Sequence, residues 1–254
     1  SRLLDLLHDR IRPEGSLLVV VGDVRPDSVV GRVEAALAGW AAGGEPAGIP
    51  EPAAMRPGPI VLVDRPGAVQ TNIRMAGPAV ARDDPAHPAL ALANLVFGGY
   101  FVDNLREKRG YTYSPGSGVQ QQRTAAWFLT QADVATEVTA PALAEMRYEL
   151  ERMAAGPIEA AELVSAKRYL AGTLSMSIQS QAGLASYLAM LSVAGLPVGY
   201  LRDFPARVDA LRDDEVIAAA RRFLAPRRLG TVLVGDAERI APAVEAFGDV
   251  RVTT

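Results

Sequence analysis

A short segment that joins a predicted helix to a predicted strand carries the residues best suited to chemistry. The segment runs from Phe97 to Ser114 and combines charged side chains with aromatic hydroxyl groups. A chain that leaves a helix at Gly110 and turns into a strand can direct Arg106 and Tyr111 into one space. A guanidinium fork beside a phenol suits a peptide carbonyl group or its oxyanion. The alternative is a solvated helix face followed by a packed strand tyrosine, and spacing alone favours that alternative.

Metal-dependent hydrolysis requires ligands that this sequence does not bring together. The chain has no cysteine and two histidines, His8 and His87, which are far apart in sequence. Neither has a second His or Glu at helical spacing, and neither H-x-x-E-H nor H-E-x-x-H occurs, whereas a catalytic zinc needs about three converging ligands. We therefore expect no metal site and no peptide cleavage by the chain alone. The two histidines are expected at the surface or at the start of a helix.

Motifs for other kinds of catalysis are also missing from the sequence. No G-x-S-x-G elbow is present to activate a serine. The glycine pairs Gly98-Gly99 and Gly116-Ser117-Gly118 lack the spacing of phosphate-binding loops. We interpret these glycines as turns or strand bulges.

Composition limits the classes of partner. The 254 residues include 49% hydrophobic residues and carry a formal net charge of −3. Lys108 and Lys167 are the only lysines, and no basic tract suited to phosphate backbones occurs, so nucleic acid is not an expected partner. The most apolar stretch, Leu184 to Leu196, is shorter than the roughly 18 to 20 residues that a membrane span needs. We expect a globular domain with no membrane span.

The predicted elements place strands in hairpins and helices in runs, which favours an α+β fold with a mostly antiparallel sheet and helices on one face. Strands at Pro59–Asp64 and Val69–Gly77 are predicted to be neighbours. The other predicted elements are a helix from Pro85 to Phe97 closed by Gly98-Gly99, a helix from Phe101 to about Lys108, extended segments to Gln122 and from Ala125 to Val134, helices around 143–153 and 163–178, and a final strand at Leu229–Val234.

Two segments share a pattern of short strand, Gly-Asp turn and helix, and their Gly-Asp pairs at 22–23 and 235–236 lie 213 positions apart. Such units are common in α/β chains, which is one explanation. If the echo is a true repeat, residues 1–40 close a preceding half-domain, 41–59 form a Gly/Pro/Ala-rich linker, and 60–254 form a complete half-domain. Strand 17–24 would then lack its sheet and pair with this domain's own sheet or with a second copy, as a homodimer.

The segment Leu105–Ser114 resembles the Leu-Arg-Glu-Lys…Gly-x-x-Tyr-Ser signature in the second half of pitrilysin-type (insulinase-family) zinc metallopeptidases, which include mitochondrial processing peptidase. Val102-Asp103 departs from the pattern, because relatives usually carry Ser-Arg there, and this puts the local loop contacts in doubt. Further matches follow in order along essentially the whole chain: Val19–Val24, Gln70–Arg74, Phe97–Gly99, Glu162–Lys167 and Val234–Asp236.

The resemblance implies two related half-domains around a chamber, with an H-x-x-E-H zinc site in the first. This chain would be the inactive C-terminal half or a separate subunit, with the zinc-bearing half as partner, peptide as substrate and zinc in the partner alone. By the same analogy, Tyr111 would hydrogen-bond the oxyanion and Arg106 would hold the substrate backbone. The alternatives are a structural family member that scaffolds an assembly, like the core proteins of respiratory complexes, and a free-standing peptide-binding module.

Overall fold

The computed structural model describes residues 2–5, 11, 13–40, 48–49 and 52–254. The chain divides into two compact units. The smaller unit comprises Ser1–Pro52 and Thr173–Val198, and the larger unit comprises Ala53–Gly172 and Gly199–Thr254.

The helices are α1 (Pro26–Leu37), α2 (His87–Val102), α3 (Thr139–Ala155), α4 (Ala160–Ile178), α5 (Gln181–Val193), α6 (Tyr200–Asp209), α7 (Asp213–Phe223) and α8 (Ala237–Val244). The strands are β1 (Ile60–Asp64), β2 (Gln70–Pro78), β3 (Gly116–Gln121), β4 (Ala126–Ala135), β5 (Gly230–Gly235) and β6 (Val250–Thr253). A π-helix at Asp103–Lys108 follows α2, and short 3-10 helices lie at Thr136–Val138, Pro226–Arg228 and Glu245–Phe247.

The strands of the larger unit form one mixed sheet in the order β3-β4-β2-β5-β1-β6. β1 runs parallel to β5 and β6, whereas the β2–β4, β2–β5 and β3–β4 pairs are antiparallel. The predicted α+β class with a mostly antiparallel sheet is therefore confirmed. The sequence did not predict β6, which follows the expected final strand.

The prediction that the first two strands are neighbours is wrong, because β5 lies between them. Val234 of β5 pairs with Val63 on one side and with Asn72 on the other. The turn from β1 to β2 passes around the end of β5, where Gly67 N–H donates to Asp236 Oδ2 at 3.0 Å. Asp64 Oδ1 in turn accepts from the first N–H of α8 at 3.0 Å. The helix is thus capped from β1, and its N-cap residue Asp236 makes no side-chain capping bond.

One face of the sheet is buried beneath helices. Burial alternates along β2 and β4 with the period of two that a half-buried strand requires. Asn72 and Arg74, on the opposite face, are half-buried and bond to Asp133. The core side chains are Leu62, Ile73, Met75, Phe128 and Leu233 from the strands and Leu92, Leu143, Val216 and Ile240 from the helices.

In the smaller unit, the expected strand at 17–24 does not form. Residues 16–21 lie in no strand, and α1 buries none of its residues. Leu18 and Val20 remain 62% and 48% exposed and border an apolar groove of 330 Å³ along α1. A strand needs a ladder partner for its N–H and C=O groups, and no described segment supplies one here. Of the predicted linker, 52–59 have no regular structure, and 41–47 and 50–51 lie outside the described residues.

Candidate functional site

The candidate site lies at the end of α2, where the expected break at Gly98-Gly99 is absent. The helix runs through both glycines and passes directly into the π-helix. Phe97 and Phe101 are fully buried and stack at 5.2 Å between ring centroids, so packing continues across the glycines. A Cβ at Gly98 would lie 3.5 Å from the Ser117 hydroxyl oxygen. This is an ordinary van der Waals distance, so Gly98 neither ends the helix nor is required by the contact between α2 and β3.

The π-helix ends at Lys108, and Gly110, where the sequence predicts the helix stop, follows its C-cap residue Arg109. Gly110 has φ +63°, and its N–H donates to Arg106 C=O at 3.2 Å. Tyr111 N–H donates to Leu105 C=O at 2.9 Å. A residue after such a glycine stop commonly packs back on the helix. Tyr111 follows this rule, because its half-buried side chain packs against the core that contains Leu105.

The structure brings Arg106 together with Tyr113. The guanidinium of Arg106 lies over the Tyr113 ring, 4.8 Å from its centroid, and its Nε is 3.2 Å from Glu107 Oε1. The Arg106 side chain is 44% exposed and Tyr113 is 80% exposed. Both groups are therefore open to a ligand. The signal was present in the motif, since the tyrosine that precedes serine in Gly-x-x-Tyr-Ser falls on Tyr113.

A polar cluster, buried at Asn104 and Glu149 and exposed at its two arginines, attaches the π-helix to α3. Asn104 Nδ2 donates to Glu145 Oε2 at 2.9 Å and to Glu149 Oε1 at 2.7 Å. Arg109 Nη2 lies 2.6 Å from Glu145 Oε1, and Arg152 Nη1 lies 3.2 Å from Glu149 Oε2. Asn104 is 7% exposed and Glu149 is 3% exposed. Sequence analysis did not identify this cluster, because only tertiary contact brings 104 beside 145 and 149.

A cleft of 1300 Å³ lies beside the site. The Tyr100 hydroxyl donates to Glu162 Oε2 within it, and the Arg152 guanidinium lies 3.7 Å from the Tyr100 ring centroid. Burial and the carboxylate of Glu162 raise the pKa of Tyr100 to about 12, so this phenol stays protonated at neutral pH. Residues that line the cleft include Tyr100, Glu107, Pro115, Ser117, Glu162 and Tyr169.

The histidines do not form a metal centre within the described part of the chain. His8 lies outside the described residues. His87 is the first residue of α2, as expected for a residue at a helix start, but it is 4% exposed rather than at the surface. Burial, and then the charges of Arg82 and Arg207, lower the pKa of His87 to about 4. Among residues 2–5, 11, 13–40, 48–49 and 52–254, no group of three or more His, Cys, Asp or Glu could hold a metal ion.

No helix within the described ranges combines the length and the apolar character that a membrane crossing needs.

Solved structures with the same fold come from several organisms. The peptidase M16 inactive domain from Pseudomonas fluorescens matches with a TM-score of 0.73 and 27% identity, over 85% of this chain and 52% of that one. A protease from Helicobacter pylori matches with a TM-score of 0.70 and 18% identity, over 85% and 53%. A chain of complex III2 from Candida albicans matches with a TM-score of 0.66 and 16% identity, over 90% and 55%.

The family comparison agrees with these structures. No curated protein matches the sequence. The chain spans about half the length of the Pseudomonas and Helicobacter chains. The sequence profile described as the peptidase M16 inactive domain matches residues 1–170, two thirds of the 254 residues. The resemblance drawn from Leu105–Ser114 is thereby confirmed, and the chain belongs to the peptidase M16 inactive-domain family.

Proposed function

We propose that the chain is the non-zinc half or subunit of a pitrilysin-type zinc endopeptidase and completes its peptide-binding chamber. The observation that carries this proposal is the exposed guanidinium of Arg106 held beside the exposed phenol of Tyr113. Packing alone does not require both groups of this pair to lie at the surface. In the proposed enzyme, an H-x-x-E-H site in the partner half holds the zinc, and peptide is the substrate.

Arg106 and a tyrosine divide the proposed chemistry. The planar guanidinium binds peptide carbonyl groups, and a phenol donates a hydrogen bond to the oxyanion that forms during attack. The family analogy gave the second role to Tyr111. Geometry favours Tyr113, because Tyr111 is half-buried against the core and Tyr113 is exposed next to Arg106. We therefore propose that Arg106 acts together with the phenol of Tyr111 or Tyr113, and that Tyr113 is the first candidate.

The domain boundaries form part of the same proposal. Residues 1–40 are the closing part of the zinc-bearing half-domain, 41–59 are the linker, and 60–254 are the non-zinc half-domain. Leu18 and Val20 are exposed, and α1 buries none of its residues. Both observations support the proposal that the zinc-bearing half covers this region. When the zinc half is absent, a second copy of the chain competes for the same surface and gives a homodimer.

Reconstitution tests the proposal. The purified chain alone should hold no stoichiometric zinc by metal analysis and should cleave no peptide. Mixed with its zinc-bearing half, it should raise peptide cleavage well above that of the zinc half alone. Arg106→Ala should remove most of this increase without weakening association of the two halves. Tightly bound zinc in the chain alone, or full activity of the Arg106→Ala enzyme, would contradict the proposal.

The alternative functions predict different outcomes of the same experiment. A scaffolding subunit would associate with its partner, but Arg106→Ala would leave every measured activity unchanged. A free-standing peptide-binding module would bind peptides with micromolar affinity in the absence of any partner. Calorimetric titration of the chain with unstructured peptides separates the second alternative from the proposal.

A further inference from the structure

We propose that Asn104 and Glu149 are positioning residues that set the direction of Arg106 through the π-helix. This inference rests on the proposed function, because it gives these two residues a role in the action of Arg106. Together with Glu145, Arg109 and Arg152 they form a chain of five side chains, termed the Asn104 ladder. In the ladder one amide lies between two carboxylates, and one arginine pairs with each carboxylate.

Every polar contact in the ladder pairs an amide N–H or a guanidinium with a carboxylate. Glu145 and Glu149 are four residues apart and so lie on one face of α3. Asn104 gives one hydrogen bond to each of them, at 2.9 and 2.7 Å. The two negative charges are balanced by Arg109 and Arg152. Burying such groups costs more than burying apolar side chains of the same size, so the ladder provides a defined geometry rather than extra stability.

The π-helix explains why a defined geometry is needed. Its backbone bonds join residues five apart, as in Arg109 N–H to Asn104 C=O at 2.9 Å. A return to α-helical bonds would wind the segment more tightly and turn Arg109 about the axis relative to Asn104. The ladder holds both of these residues on α3 at once. It is therefore incompatible with the α-helical winding, and it selects the π-helical one.

Arg106 lies between the two attachment points of the ladder. Its contact with Glu107 is within the segment that the ladder holds, and its contact with Tyr113 is to the chain just beyond Gly110. The direction of the Arg106 guanidinium therefore depends on the winding of 104–109 and not on a direct bond to α3. Loosening the ladder should leave Arg106 charged and exposed but misdirected.

The test uses the complete enzyme, which is the chain together with its zinc-bearing half. Asn104→Leu removes both donors, and Glu149→Gln is a milder variant that keeps an acceptor but loses the charge. Each should lower kcat per folded enzyme by on the order of 10 to 10² fold, the cost of a misplaced positioning group. Glu151→Gln, at an exposed site on the same helix, is the matched control and should leave kcat unchanged.

Two further variants separate positioning from a structural role. In an Arg106→Ala background, Asn104→Leu should lower kcat no further, since residues that act through one group are not additive. Asn104→Asp combined with Glu149→Gln keeps the charge and reverses the donor and acceptor of the 104–149 bond alone, while the carboxylate introduced at position 104 still faces the Glu145 carboxylate. It should therefore recover only part of the activity that Asn104→Asp loses. A structural role would instead lower the melting temperature and leave kcat per folded enzyme unchanged.

The outcomes distinguish this inference from the proposed function. If Arg106→Ala slows the enzyme but Asn104→Leu and Glu149→Gln do not, the positioning role is wrong and the proposed function stands. If Asn104→Leu slows the Arg106→Ala enzyme as much as the parent, the ladder does not act through Arg106. If Arg106→Ala itself has no effect, the proposed function fails, and the positioning role is lost with it.

Discussion

The two copies of the strand, Gly-Asp and helix pattern have opposite environments. In the copy at 230–244, β5 pairs on both edges, and Leu233 and Ile240 are buried. In the copy at 16–37 no strand forms, and Leu18 and Val20 are exposed. Similar sequence therefore gives a central strand in one place and a segment outside any strand in the other. The difference shows that a buried strand depends on the neighbours that the rest of the fold supplies.

The largest expected difference is in the free energy of unfolding, between variants at equivalent positions of the two copies. Leu233→Ala should destabilise the chain by about 2 to 5 kcal/mol, because Leu233 is fully buried. Val20→Ala, 213 positions earlier, should change the free energy of unfolding by less than about 0.5 kcal/mol in the chain alone. Urea denaturation measures both. Equal losses in the two variants would show that 16–37 is packed as tightly as β5.

Tyr111 and Tyr113 also have different environments, since Tyr111 is half-buried and Tyr113 is exposed. Tyr113→Phe in the complete enzyme should lower kcat by on the order of 10² to 10³ fold, roughly 3 to 4 kcal/mol, with a small change in KM. Tyr111→Phe should leave kcat near that of the parent, because the half-buried ring keeps its packing against the core. Kinetics at saturating and limiting peptide separate the two parameters. A fall in kcat with Tyr111→Phe alone would assign the phenol to Tyr111, as the family analogy predicts.

Arg106→Lys sharpens this test of the site. It keeps the positive charge but loses the planar fork, so it should both raise KM and lower kcat if the guanidinium binds peptide backbone. Because Lys can still contact the Tyr113 ring, the free energy of unfolding should stay close to that of the parent, and its measurement is the control. If Arg106→Lys and both tyrosine variants turn over like the parent, this segment is only a solvated helix face.

The sequence predicts the elements better than their neighbours. Period-two and period-3.6 patterns located β2, β4 and α3 because burial imposes those periods on the local chain. The insertion of β5 between β1 and β2, and the contact of Asn104 with Glu149, depend on residues distant in sequence. Local patterns carry no record of such contacts. The tyrosine beside Arg106 is different, because the Gly-x-x-Tyr-Ser motif already marks Tyr113.

His87 provides a prediction about acid stability within the packed unit. Its pKa is lowered to about 4 by burial and by the charges of Arg82 and Arg207. The unfolded chain, with a pKa near 6.5 for this group, therefore binds the proton first as pH falls. Stability from neutral His87 is complete above about pH 6.5 and is lost progressively down to about pH 4, by up to about 3 kcal/mol.

His87→Gln checks that sign. The variant removes the titrating group, so its free energy of unfolding should fall less between pH 7 and pH 4 than that of the parent. Urea denaturation at half-unit pH steps gives both curves. Parallel curves for parent and variant would mean that His87 titrates normally and is not buried as described.

Two glycines near the site look alike in sequence and differ in conformation. Gly99 lies in α2 and is exposed, and a Cβ added there would have no other atom within 4 Å, so Gly99→Ala should stabilise the chain by about 0.5 to 1 kcal/mol. Gly110 has φ +63°, a left-handed conformation in which a Cβ is strained. Gly110→Ala should therefore destabilise the chain by about 1 to 2 kcal/mol.

The two glycine variants are each other's control, because both add a single methyl group near the same site. Opposite shifts of the urea midpoint are expected, with unchanged dependence on denaturant. Shifts of the same sign would contradict the continuous helix through Gly99 or the left-handed stop at Gly110. Gly110→Ala should also reduce kcat of the complete enzyme, because Gly110 separates Arg106 from Tyr113. Gly99→Ala should leave kcat unchanged, since Gly99 precedes the segment that the Asn104 ladder holds.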